Sequence, residues 1–337
     1  MRHDKKTFKV NILASENALF STIFGPFDML IQAGVFWNIL VGQQPEPPFE
    51  VKITSIDGNR ITGLAGAELT PHCSINDSEF YDLIIVPSEG MLINPDSPSF
   101  QQRVHYIKRM HEQGSLIASI CTGAFLVAAT GLLDHKTATT HWALAPQFEA
   151  AFPKVNLDTD LIIADNDSVI TSGGVSADQD LTMALIENFC GQEVSLQTAR
   201  CTLVDLSHRK QSTFKTFIAN KVHGDQEILK CQSFIEENLN REVSTEEVCK
   251  KVALTPRTLN RRFKQATGKT LVTYIQLLRI EQAKQLLATG NASFDHIANS
   301  VGYENVSYFR RLFKKYVGLA PKEYRRSFSS ADNGGRL

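Results

Sequence analysis

Apolar and polar positions follow two different regimes along the 337 residues. In the first part, short β-branched apolar runs recur: TFKVNILA (7–14), FEVKITSI (49–56), YDLIIVP (81–87) and SLIASI (115–120). Runs of this length and composition predict buried strands. Helical spacing falls between them, as in FQQRVHYIKRMHEQ (100–113). Strands alternating with helices predict a parallel sheet covered on both faces. LDTDLIIADNDSVITSGG (157–174) reads as a hairpin turning at Asn166-Asp167. SADQDLTMALIENFC (176–190) reads as an amphipathic helix with Ser176 at its N-cap. The expectation for residues 1–205 is an α/β doubly wound sheet.

Residues 206–225 are polar without sustained periodicity and are expected to link two domains. Beyond them strand signals stop, and helical patterns cover 226–238, 245–252, 256–267, 270–288, 293–300, 305–317 and 321–327. Gly268, Gly290, Gly302 and Gly318 stand where helices should end. An all-α domain is expected over 226–328, followed by a flexible tail, 329–337. This region repeats itself at a spacing of about 50 residues: Arg261 matches Arg311, Phe263-Lys264 matches Phe313-Lys314, Gly268 matches Gly318 and Tyr274 matches Tyr324. Each copy is a short apolar helix, a tight turn and a second helix with an arginine-rich face. That is helix-turn-helix organisation, whose second helix enters the DNA major groove. The intervening helix, TLVTYIQLLRIEQAKQLLA, spans roughly 28 Å at 1.5 Å per residue, long enough to set two such helices in successive major grooves.

Charge sharpens this picture. Residues 251–328 hold 15 Lys and Arg against 4 Asp and Glu, a net of +11, while the rest holds 20 against 32, a net of −12. An acidic body joined to a basic tail points to a polyanionic partner. The six cysteines are scattered, with no C-x-x-C pair and no metal-ligand spacing, and are expected to be reduced thiols. With no signal peptide and no apolar run of membrane-spanning length, the expected location is cytoplasmic, without membrane contact. No metal or cofactor is expected.

VALTPRTLNRRFKQATGKTLVTYIQLLRIEQAKQLL followed by IANSVGYENVSYFRRLFKKYVGLAPKEYRR resembles the DNA-binding domain of AraC/XylS-family transcriptional regulators. The resemblance implies sequence-specific binding of double-stranded DNA, usually to activate transcription, with RNA polymerase as a partner and a homodimer as the working form. It places base-facing positions at Arg257, Asn260 and Arg261 in the first recognition helix, and at Val306, Ser307, Arg310 and Arg311 in the second. Lys264, Lys314 and Lys315 suit phosphate contacts. Phe263, Phe309 and Phe313 read as core.

One stretch of the first domain carries candidate chemistry: ASICTGAFLVAATGLLDHKTATTHW (118–142). A strand ends at Ile120, Cys121 takes the turn, and Thr122-Gly123 starts a helix whose N–H groups would favour thiolate. His141, after the strand KTATT, is placed to approach the sulfur. YDLIIVPSEG, SICTGAFLVAATGLL, TATTH and DSVITSGGVSADQDLTMALIE together resemble the PfpI-like branch of the class I glutamine amidotransferase-like superfamily. This implies a flavodoxin-like sheet, a nucleophile position at Cys121, its histidine at His141, and oxyanion-hole N–H groups at Thr122 and the Glu89-Gly90 turn.

Enzymes of that branch carry a carboxylate six residues before the position matched by Asp28; here it is Thr22. The favoured expectation is therefore a sensing domain, not an enzyme, that binds a small nitrogenous effector such as an amino acid or quaternary amine. Cys121, Thr122, His141, Glu89, Gly90, Thr22 and Asp28 are its candidate ligand-binding residues. Trp37, Phe24, Phe27, Phe36 and Trp142 are candidates for an aromatic pocket around a cation. Two alternatives stay open: a cysteine-dependent amidase, deglycase or hydratase with a DNA-binding tail, and a redox sensor at Cys121.

Overall fold

The β-branched runs pair into one seven-stranded sheet, in a computed structural model that describes residues 6–329 apart from 17, 64, 65, 78, 92 and 206–210. The strands are β1 (Phe8–Leu13), β2 (Phe49–Ser55), β3 (Ile61–Thr62), β4 (Glu68–Leu69), β5 (Cys73–Ser74) and β6 (Leu83–Val86). They continue with β7 (Leu116–Ile120), β8 (Thr137–Ala138), β9 (Asn156–Leu157), β10 (Ile163–Asp165) and β11 (Val169–Ser172). The sheet order is β10-β11-β7-β6-β1-β2-β5, with β10 antiparallel to β11 and every other pairing parallel. β3–β4 and β8–β9 form separate two-stranded ribbons. KTATT thus adds only Thr137–Ala138, outside the main sheet, and His141 arrives on a loop.

The helices of this half are α1 (Ser21–Gln32), α2 (Phe36–Leu40), α3 (Pro98–Glu112), α4 (Gly123–Ala129), α5 (Ala145–Ala151), α6 (Ala177–Cys190) and α7 (Gln192–Thr202). Alternation along the strands divides the core between two faces. Ile12, Leu83 and Ile85 pack with Leu30 of α1 and Leu181 of α6, while Leu13, Ile84 and Val86 pack with Ile107 of α3 and Phe125 of α4. Strand order reverses between β1 and β6, and it is at such a switch point, outside the carboxyl ends of the strands, that open α/β sheets bind ligands. Ser176 is the N-cap residue of α6, without the side-chain cap bond expected of it.

The chain divides into two compact units, Met1–Gln211 and Ser212–Leu337. Of the expected linker, residues 206–210 lie outside the described set. The remainder is better anchored than its polar pattern predicts. Gln211 is buried, and within the second unit Phe214 packs on Phe328 and Phe217 on Tyr274. Isolated aromatics carry no period, yet each finds an apolar wall.

The second unit is helical among its described residues: α8 (Gln226–Glu237), α9 (Thr245–Val252), α10 (Pro256–Thr267), α11 (Leu271–Thr289), α12 (Phe294–Ser300), α13 (Val306–Val317) and α14 (Pro321–Phe328). It holds two small cores, and α11 serves both: Leu271, Tyr274 and Ile275 enter the first, Ile280, Ala283 and Leu287 the second. Gly268 and Gly318 end the two recognition helices in left-handed geometry, which glycine adopts without a Cβ penalty. Gly290 ends α11 in extended geometry instead. No described helix is long and apolar enough to cross a membrane.

Candidate functional site

β7 delivers Cys121 to the carboxyl end of the sheet in a left-handed conformation, φ 55°, that non-glycine residues rarely adopt. Its N–H donates to Ser172 O of β11 at 3.0 Å and its carbonyl accepts from Thr140 Oγ1 at 2.8 Å, so both neighbours hold the elbow in place. Strained backbone of this kind costs of order 1–3 kcal/mol and persists where surroundings over-determine it. Gly123 follows because a Cβ there would stand 2.5 Å from the carbonyl oxygens of Val86 and Pro87. The elbow is therefore real, but its electrostatics are not those expected. Burial pushes the Cys121 thiol up, outweighing Ser88 and the Thr122 N–H, which favour thiolate. His141 caps a short 3-10 turn, with Nδ1 accepting from Ala143 N at 3.2 Å, which places the ring proton on Nε2. Burial alone pulls its pKa down, with no charge or hydrogen bond from Cys121 acting on it. The pair stands as a neutral thiol and a neutral imidazole.

Thr22 is fully buried near the start of α1. Its Oγ1 accepts from Ser88 N at 3.0 Å and donates to Leu19 O at 2.6 Å, while Ser88 Oγ shares a 2.9 Å hydrogen bond with Thr122 Oγ1. The Thr22 hydroxyl thus ties the start of α1 to the Ser88 turn. Asp28, offered as a ligand-binding candidate, is not brought to the site: it lies exposed on α1. Six residues is nearly two helical turns, which carries it away from Thr22. Glu89 is brought in, but its carboxylate is buried in an ion pair with Arg103 of α3 and accepts from Ser15 Oγ at 3.3 Å. Gly90 beside it takes φ 70°, which a glycine tolerates.

A carboxylate outside the expected set is Asp178 at the start of α6. Its Oδ1 accepts from Gln179 N at 2.8 Å, and Oδ2 fills the space a side chain at Gly25 of α1 would need. Burial pushes this carboxyl up to about 6 from its ordinary 3.8. As pH rises, the unfolded chain ionises the group first, so its contribution is full below about pH 4 and is lost through about pH 6. Asp178→Asn is therefore expected to raise stability by about 2 kcal/mol at pH 8 and to change little at pH 4, read by thermal melts at both.

The aromatic candidates do not converge. Phe27 stacks on His72, Trp37 lies beneath the Arg200 guanidinium, Phe24 and Phe36 are exposed, and only Trp142 meets the site, stacking on His141.

In the second unit, Arg257, Asn260, Arg261 and Lys264 are all exposed along one stripe of α10, and Ser307, Arg310, Arg311 and Lys314 repeat it on α13 at an offset of 50. Spacings of three and four residues put each set on a single helix face. Lys315 is exposed too, whereas Phe263, Phe309 and Phe313 are fully buried. Val306, the first residue of α13, is half-buried against the second core, unlike the exposed Ser307 beside it. Arg310 is not wholly free, since it pairs with Asp295 at 3.1 Å and covers Phe294. Arg262, the arginine excluded from the stripe, donates to Asp225 from Nε and Nη2 at 2.9 and 2.6 Å and fastens α10 to the start of α8.

Sequence reading missed Ser88, Arg103, Asp178 and the buried Gln211. Arg103 left a signal, a charge inside the apolar stripe Phe100, Val104, Ile107 of α3. The others became visible only through long-range packing.

A doubly wound sheet with a cysteine elbow, joined to paired helix-turn-helix modules, defines a class of DNA-binding transcriptional regulator. Residues 28–188 match the DJ-1/PfpI family and residues 248–327 a helix-turn-helix domain family. The chain is an AraC-family helix-turn-helix regulator with an N-terminal DJ-1/PfpI domain. It is 25% identical over 272 residues to the HTH-type transcriptional regulator GbdR of Pseudomonas aeruginosa, covering 80% of this chain and 73% of that one. Isonitrile hydratase of Pseudomonas putida is 28% identical over 174 residues, covering 51% of this chain and 67% of that one. A solved Vibrio parahaemolyticus structure, 23% identical with a TM-score of 0.50, shares the fold over 58% of this chain and 99% of its own.

Proposed function

We propose that this regulator is a ligand-responsive activator of metabolite-utilisation genes. In this reading residues 1–205 sense a small nitrogenous metabolite beside Cys121 and His141, and residues 226–328 read DNA as part of a homodimer that engages RNA polymerase. The observation that carries the reading is the matched pair of exposed stripes on α10 and α13, in a chain whose elbow has lost its acid. Thr22 cannot act as a general base, the thiol is held protonated, and the histidine is not coupled to it; catalysis needs activation and orientation together. Burial of Cys121 likewise disfavours a redox role, which depends on an exposed thiolate. Under this reading Cys121→Ser retains ligand response, and neither protein turns over amide, carbonyl or isonitrile substrates. The test is a thermal-shift screen of amino acids, quaternary amines and polyamines on both proteins, paired with turnover assays. An effector at 100 times its Kd stabilises by about 2.7 kcal/mol. Turnover abolished by Cys121→Ser contradicts the reading.

A further inference from the structure

Gln211, the last residue of the first unit, sits in a socket that it fits imperfectly. The residue is 3% exposed, and its Nε2 faces three acceptors at once: Thr139 Oγ1 at 2.9 Å, Leu161 O at 2.8 Å and Thr140 O at 3.2 Å. Two of these are carbonyls, which only accept, and Thr139 Oγ1 already donates its own proton to Leu161 O at 2.9 Å. A carboxamide nitrogen has two protons for three acceptors. At the other end, Gln211 Oε1 is buried with no partner among the described residues, a state that costs free energy. Gly173 forms the floor, because a side chain there would collide with the amide. Three acceptors converging on one nitrogen is the arrangement that an –NH3⁺ group, with three donors, completes.

We propose that Thr139, Thr140 and Leu161 form a recognition site for the primary ammonium group of the effector, and that Gln211 is its built-in competitor. The proposal rests on the reading of the first unit as a sensor of nitrogenous metabolites. The socket shares a wall with the elbow: Thr140 donates from Oγ1 to Cys121 O at 2.8 Å, and His141 is the next residue. It also adjoins the start of the second unit in the chain, since Ser212 follows Gln211 directly. An ammonium group that enters expels Gln211 and frees the segment leading to the DNA-binding unit. The chemistry selects against quaternary amines, which carry no N–H to offer the carbonyls.

The experiment is calorimetric titration of the intact chain with ethanolamine against choline and glycine against trimethylglycine, pairs that differ only in N-methylation. Wild type, Gln211→Ala and Thr139→Val are compared, with a thermal melt confirming that each folds. The primary amines should bind and their quaternary partners should not. Gln211→Ala should bind about tenfold tighter because nothing has to be displaced. Thr139→Val should bind about tenfold weaker for loss of one hydrogen bond to a charged group. Equal binding of quaternary partners, an affinity indifferent to Gln211→Ala, or binding of none of the four by any protein overturns the socket. A response to other compounds in the broader screen would leave the sensor reading standing, so the two failures are distinguishable.

Discussion

Arg279→Met is expected to lower the stability of the second unit by about 3 kcal/mol and to weaken DNA binding more than tenfold, although Arg279 lies on neither recognition helix. Its side chain is buried on α11, donating from Nε to Leu239 O at 3.2 Å and from Nη2 to Arg241 O. Both acceptors lie between α8 and α9, in the first module. The same guanidinium covers the Tyr303 ring at 4.9 Å, in the turn of the second module. Gly302 makes room for it, because a Cβ there would stand 2.7 Å from Nη2. Methionine keeps the length but leaves two carbonyls without their charged donor, and hydrogen bonds to charged groups contribute about 1.5–3 kcal/mol each. One side chain thus ties the turn of one module to the frame of the other. Without it the two recognition helices lose their fixed phase, and contacts in successive grooves are no longer made together. Denaturant melts and fluorescence anisotropy on labelled duplex check both parts; an unchanged melt contradicts the tie.

Replacing Arg261 and Arg311 together by alanine is expected to cost about 2–6 kcal/mol of specific DNA affinity, since a bidentate arginine–guanine contact carries about 1–3 kcal/mol and well-separated contacts add. Both are exposed at equivalent positions of α10 and α13. The effect should fall on specific duplex far more than on random duplex. Lys264→Ala and Lys314→Ala should instead weaken both alike and reduce the salt slope by about one each. Arg262→Ala is the internal control: the Asp225 pair makes it a structural residue, so it should lower stability while leaving base preference unchanged. Equal losses on specific and random duplex for the Arg261/Arg311 variant would contradict a base-reading role.

Much of this architecture was legible in the residues. Short β-branched apolar runs located β1, β2, β6 and β7, because strands covered on both faces need apolar residues throughout, and the offset of 50 located α10 and α13. The elbow was legible only with its surroundings: a strand, a cysteine and a glycine in order are a weak signal alone, and the flanking stretches that resemble the PfpI-like branch singled it out. What the residues did not carry was pairing at a distance. The thiol was expected to be activated by a helix end, yet Cys121 is 4% exposed and desolvation wins. Asp28 was chosen by position in the chain, while the buried carboxylates near the sheet ends are Asp178 and Glu89, fixed by Gly25 and Arg103. Gln211 lies in a stretch whose polar pattern predicted only a link; its role depends on acceptors 50 to 72 residues away.

The most direct test of the central account, that this chain reads DNA with two helix-turn-helix modules, is selection of bound duplexes from a random library by the intact protein. The account predicts an enriched site with two short conserved boxes per protomer, about 10 base pairs apart centre to centre, one per recognition helix. In the Arg311→Ala variant the box read by α13 should lose its preference while the other keeps it. A single box, an enrichment unaltered by Arg311→Ala, or no enriched sequence at all would contradict it.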